Sequence, residues 1–258
     1  MIMLRIRRDS QAAAQVNTLQ SAHGTVMVLA WMVFASTAIL FARYGRTIRF
    51  GSKEKLFDEK YWFQIHRLIA CLTTVATLLG FLLILAETQG TWITSDEGLT
   101  FVHSVLGGII VCCALLQSWM ALFRCHPESS FRYIYNWLHR MTGLLAFFLS
   151  IPTIFIMVTI FNENRTGMIV ILSLWSGWVV FIVIILEIIQ FLRKLSLKAM
   201  NKRNDTELTE YTTNSSVNTR KSDQTDLTPG NNRILILFLL HIVISIALAI
   251  ALIVLIWK

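Results

Sequence analysis

The sequence predicts an all-α, polytopic membrane protein of six transmembrane helices, with the first four forming a four-helix core. Three observations carry this. The 258 residues are 55% hydrophobic and only 15% charged, against roughly 25% charged in a soluble domain. Mean hydropathy is +0.61. Six apolar runs are each long enough to cross a hydrocarbon core of about 30 Å, which takes about 20 residues of helix.

The spans follow in order. A polar to mixed segment, residues 1–20, contains Arg5, Arg7 and Arg8 but no apolar run of signal-peptide length. The first span covers His23 to Ala42 and is closed by Arg43, Tyr44, Gly45 and Arg46. The second covers Tyr61 to Ala86, the third Phe101 to Phe123, and the fourth Tyr135 to Ile160 with Pro152 as an expected kink. The fifth covers Met168 to Leu192. Residues 196–232, rich in Lys, Asn, Thr and Ser, read as a disordered cytoplasmic linker. The sixth span, Ile234 to Trp257, lies in a last unit of residues 233–258.

The net charge of +8 and pI near 9.6 do not point to nucleic acid, because the basic residues cluster in loops on one side of the membrane. The loop from Arg43 to Arg67 has seven Lys or Arg, and that from Arg124 to Arg140 has three. The linker starts with Arg193, Lys194, Lys198, Lys202 and Arg203. The two loops on the opposite side have Arg165 alone. The basic side is cytoplasmic by the positive-inside rule, which leaves both termini extracytoplasmic. Sequons at Asn204 and Asn214 then face the cytosol, and that at Asn164 sits in a short loop. Cys71, Cys112 and Cys113 fall inside apolar runs and Cys125 at a span end. There is no C-x-x-C-H, which argues against covalent haem attachment.

One histidine stands near the start of each of the first four spans: His23, His66, His103 and His139. Ionisable residues inside spans are costly and mark function by default. Successive helices run in opposite directions, so His23 and His103 fall toward the extracytoplasmic side and His66 and His139 toward the cytoplasm. In a four-helix bundle alternate helices face each other across the core, where bundles place cofactors. Two imidazoles across a flat gap suit a haem iron, which accepts two axial side chains, better than zinc, which takes three or four protein ligands. A single such histidine is often a hydrogen-bonded packing residue; four, paired by depth, argue for ligation. One turn beyond His66, His103 and His139 come Ala70, Gly107 and Gly143, small enough to leave room for a porphyrin edge; His23 departs from this, with Met27. Arg67 and Arg140 follow the cytoplasmic-side histidines directly and are candidates for haem propionates. His126 reads as a solvated loop residue, His241 has no evident partner, and Glu187 reads as a carboxylate snorkelling to the interface, with a proton-linked role as the second reading.

Ala22-His23-Gly24-Thr25-Val26-Met27, Ala42-Arg43-Tyr44, Trp62-Phe63-Gln64-Ile65-His66-Arg67, His103-Ser104-Val105-Leu106-Gly107 and Asn136-Trp137-Leu138-His139-Arg140-Met141-Thr142-Gly143 together resemble the cytochrome b561 family. The closest likeness is to the b561 domain of ferric-chelate reductase-type proteins, over a domain of residues 21–195. The resemblance implies two non-covalent b-type haems, His23 and His103 ligating one and His66 and His139 the other. It implies a transmembrane oxidoreductase passing electrons from cytosolic ascorbate to ferric iron or monodehydroascorbate outside. It also implies a cytosolic ascorbate site of basic residues, for which Lys60, Arg67, Arg132 and Arg140 are candidates. Members of this group often carry a DOMON or reeler domain before the first span, where this sequence has some twenty residues. Other readings are a histidine-lined metal transporter, or a membrane receptor or scaffold with structural histidines. A homodimer, the acceptor and the identity of the membrane stay open.

Overall fold

In the computed structural model, residues 18–47, 55, 56, 59–123, 126, 128–160, 164–214 and 231–258 are described. The expectations for residues 1–17, for Cys125 and for residues 215–230 lie outside them. Six helices form: α1 (Thr18–Tyr44), α2 (Tyr61–Glu87), α3 (Leu99–Leu122), α4 (Arg132–Ile160), α5 (Arg165–Asn214) and α6 (Asn231–Ile256). Each is long and apolar enough to cross a membrane. A two-residue antiparallel ladder, β1 (Lys55–Leu56) and β2 (Glu59–Lys60), leads into α2.

The apolar pattern explains how each helix faces its surroundings. On α2, Leu68, Leu72, Val75, Leu79 and Leu82 recur every three or four residues and are exposed. That stripe is the bilayer face, since a lipid-facing surface has no need of polar residues. The opposite face buries Thr73, Thr77 and Gly80. Thr73 and Thr77 donate to the carbonyls of Ile69 at 2.9 Å and Thr73 at 2.8 Å, so no hydroxyl is left to desolvate unpaired. The α2–α3 connection turns through Gly90 at φ 77° and Gly98 at φ 60°, a left-handed conformation that glycine adopts without Cβ strain.

Consecutive helices α1 to α4 are packed neighbours, and α1 also touches α4. This ring places α1 opposite α3 and α2 opposite α4. Helix α1 is the most enclosed element. Val28, Ala30, Trp31 and Met32 share one apolar cluster with Leu172 and Trp175 of α5 and Ala249 and Leu252 of α6. Leu40, Phe41 and Tyr44 form a second cluster with Ile182, Leu186, Ile234 and Phe238. Helices α5 and α6 therefore cover the side of α1 that faces away from the ring.

Three local features differ from the sequence expectation or add to it. Helix α4 continues on both sides of Pro152 rather than ending there; spanning helices tolerate the missing N–H where neighbours compensate. Helix α5 stays helical to Asn214, through much of the stretch read as a linker from residue 196. Residues 193–203 hold Leu, Lys, Ala, Met and Arg, all strong helix formers, and no Gly or Pro. Within α1, Leu29–Ala35 is π-helical, a rare arrangement with a wider turn.

Candidate haem sites

The first histidine pair meets at the end of the bundle where α1 begins. His23 lies five residues into α1 and His103 four into α3, which sets them about 6–8 Å along each helix. Their ring centroids are 6.3 Å apart with planes at 77°. His23 Nδ1–H donates to the carbonyl of Gly80 on α2 at 2.7 Å, and His103 Nδ1–H to that of Thr153 on α4 at 3.0 Å. A carbonyl can only accept, so the proton of each ring is fixed on Nδ1 and each Nε2 carries a free lone pair. This is the arrangement that orients metal-ligating imidazoles.

The spacing fits a single shared metal. An imidazole nitrogen lies about 1.1 Å from its ring centre and binds a transition metal at about 2.0–2.1 Å, so two rings on opposite faces of one ion stand about 6.2–6.4 Å apart. A cavity of about 200 Å³ adjoins the pair, with His23, His103, Gln20, Ser104, Gly107 and Met157 in its wall. A Cβ built on Gly107 meets nothing within 4 Å, so the space expected beside His103 is open. A Cβ on Gly80, by contrast, would come within 3.0 Å of Met27. The glycine there lets the backbone that holds His23 approach α1 closely.

The second pair lies toward the other end, on α2 and α4. His66 Nδ1–H donates to the carbonyl of Ala38 on α1 at 2.9 Å, which again leaves Nε2 as the lone pair. His139 is held differently. Its backbone carbonyl accepts from Gln117 Nε2–H at 2.8 Å, and Gln117 also binds Thr142 Oγ1. The His139 ring lies parallel to that of Tyr135, one turn earlier, at 6.2 Å and 4°, and the Tyr135 hydroxyl donates to the carbonyl of Met120 on α3. A Cβ on Gly143 would touch the Gln117 side chain at 3.5 Å. The room that sequence reasoning placed beside Gly143 is thus taken by an amide, because Gln117 needs a polar partner inside the bundle. His23 and Ala38 are fifteen residues apart on α1, so the two sites are separated by roughly 20 Å along the helix.

Of the basic residues named from sequence, two directly follow the histidines of the second pair. Arg67 and Arg140 are exposed. The Arg132 guanidinium lies 5.6 Å from the centre of the Tyr135 ring, and Lys60 ends β2 immediately before α2. Glu187, assigned to the interface, has two partners that sequence alone did not show. Arg43 Nε–H and the Tyr44 hydroxyl both donate to its Oε1 at 2.5 Å, tying the end of α1 to α5. His241, unassigned from sequence, is fully buried on α6 with Nε2 3.1 Å from Ser36 Oγ. Gln117 and His241 were visible as polar residues inside apolar runs; their partners were not. Among the described residues no three His, Cys, Asp or Glu side chains gather in a metal-sized cluster.

Residues 22–162, which contain all four paired histidines, α1 from its fifth residue on and all of α2 to α4, match the family of eukaryotic cytochrome b561. The chain is 33% identical over 138 residues to ferric-chelate reductase 1 of Homo sapiens, covering 54% of this chain and 22% of that protein. It is 35% identical over 136 residues to the putative ferric-chelate reductase 1 homolog of Drosophila melanogaster, covering 53% and 20%. A match to a cytochrome b561, DM13 and DOMON domain-containing protein of Arabidopsis thaliana is 26% identical over 178 residues, covering 66% and 18%. The chain thus spans about a fifth of the length of these relatives. No solved structure matches. With six membrane-length helices and a family match over more than half its residues, the chain is a multi-pass membrane protein and belongs to the cytochrome b561 family, whose members bind b-type haem.

Proposed function

We propose that this protein carries electrons across a membrane from cytosolic ascorbate to an extracytoplasmic acceptor, ferric iron or monodehydroascorbate, by way of two non-covalent b-type haems. When bound, the haems supply the one-electron chemistry. His23 and His103 hold one and His66 and His139 the other. The observation that carries the reading is the His23–His103 geometry: centroids 6.3 Å apart and both Nδ1 atoms bonded to carbonyls of neighbouring helices.

The residues of the chain have separate tasks in this scheme. At the first site the Nε2 atoms of His23 and His103 would hold the iron, and at the second His66 and His139 would do so; iron held by two histidines favours electron transfer over binding of oxygen. On His23, His66 and His103 the carbonyl bonds from Nδ1 fix ring orientation and raise ligand basicity. Met27, Val28, Ile110 and Val111 give the first site an apolar wall. Arg67 and Arg140, each next in sequence to a histidine of the second pair, would neutralise propionates. Together with Lys60 and Arg132 they give the cytoplasmic end a positive field that attracts an anionic donor such as ascorbate. The positive-inside count supports this orientation, with both termini extracytoplasmic.

The test is a vesicle assay. Purified protein in liposomes loaded with ascorbate should reduce an external, impermeant ferric chelate, and vesicles without protein should not. Haem that is reduced by internal ascorbate while no external acceptor is consumed would remove the acceptor half of the proposal. Haem-containing protein that ascorbate fails to reduce would remove the donor half.

A further inference from the structure

Helix α1 serves both histidine pairs. His23 lies before its π-helical stretch Leu29–Ala35, and the Ala38 carbonyl that holds His66 lies just after it. Each residue of an α-helix advances the chain by about 100°, and a π turn changes that count locally. Loss of the π turn would therefore rotate Ala38 relative to His23 by a large angle. Something must hold the wider turn in place.

The contacts that do so come from helices outside the ring of four. The Met32 carbonyl, inside the π stretch, accepts from Trp175 Nε1–H on α5 at 3.1 Å and from Ser36 Oγ–H at 2.7 Å. Since the Ser36 proton is turned to backbone carbonyls, its oxygen accepts from His241 Nε2–H on α6 at 3.1 Å. His241 and Ser36 are almost fully buried. His241 Nδ1, Ser245 Oγ and Thr37 Oγ1 are buried without a partner among the described residues. The contact of Phe41 with Phe238 at 4.5 Å fixes the antiparallel register of α1 and α6 that brings Thr37 and His241 to the same level. Buried polar atoms that are not all satisfied are expensive, so this polar seam is a poor choice for packing alone. We propose that His241 is a positioning residue. Through Ser36 it pins the π stretch of α1 and so sets the rotational phase of Ala38, and with it the orientation of His66, relative to His23.

This inference rests on the reading of His66 as a haem ligand. The test compares His241→Leu, Ser36→Ala and His241→Gln with the parent protein, each loaded with haem. Hydrogen exchange of the amides from Met32 to Ala38 should rise about tenfold in His241→Leu and Ser36→Ala, the factor that goes with one lost buried hydrogen bond. The low-spin electron paramagnetic resonance signal and midpoint potential of the His66/His139 haem should shift in these two variants, with those of the His23/His103 haem unmoved. His241→Gln, whose amide nitrogen reaches the place of the imidazole Nε2 and can still donate to Ser36, should restore both readouts in large part. Unchanged exchange and spectra in His241→Leu would overturn the proposal. An equal disturbance of both haems with a lowered melting temperature, unrelieved by glutamine, would do so too, since that is the mark of a merely structural residue. If His66→Ala leaves haem content unchanged, the ligand reading itself fails, whatever the His241 variants do.

Discussion

The two histidine pairs are built on alternate helices of one bundle, α1 and α3 for the first and α2 and α4 for the second, and are held by different means. At the first, both rings are fixed by main-chain carbonyls, those of Gly80 and Thr153. At the second, His66 is fixed by the Ala38 carbonyl, whereas His139 depends on side chains, Gln117 at its backbone and Tyr135 at its ring. A ligand fixed by backbone moves only if a helix moves. One fixed by side chains can be altered by a single substitution, and second-sphere groups of this kind tune metal sites. The first site is thus the rigid one and the second the adjustable one.

This contrast can be broken at several points. The largest effect is expected from His103→Ala, which should halve haem content and abolish transfer to an external acceptor in vesicles, while the remaining haem is still reduced by ascorbate. Gly80→Ala should follow. Its Cβ would sit 3.0–3.3 Å from Met27, an overpacking that costs about 1–3 kcal/mol, seen as a lowered melting temperature. Since the clash is with a flexible side chain, Met27→Ala in the same protein should recover most of the loss. If it does not, the glycine matters for a reason other than this approach. Gln117→Leu should retain both haems but shift the potential of the His66/His139 haem alone; a shift in the other would erase the distinction between the sites. The smallest effect belongs to Arg43→Gln. The Arg43–Glu187 pair is exposed, at 59% and 43% of side-chain surface, and such pairs contribute about 0–1 kcal/mol, so the melting temperature should hardly change and change less in high salt.

Much of this architecture was legible in the sequence because bilayer thickness acts on composition. The second span, read as Tyr61 to Ala86, is α2 to within one residue, and alternating helix polarity put His23 level with His103 before any coordinates. What was not legible is carried by backbone. The carbonyls of Gly80, Thr153 and Ala38 are acceptors that every residue type supplies, so no pattern of side chains marks them. The side-chain partners of Glu187 and His241 lie far away in the chain, 144 and 205 residues off. Gly143 shows how a local rule fails. It has the same small-residue signature as Gly107, but only at Gly107 is the adjoining space open. The π stretch of α1 has no Pro or Gly to announce it; it becomes intelligible only with Trp175 and Ser36 on the Met32 carbonyl.

The pairing of ligands by depth is tested most directly by double substitutions with haem counted per chain from reduced-minus-oxidised and pyridine haemochrome spectra. His23→Ala with His103→Ala removes one complete pair and should leave one haem, as should His66→Ala with His139→Ala. His23→Ala with His66→Ala damages both pairs and should leave none. Equal haem content in all three double variants would contradict the two-pair arrangement.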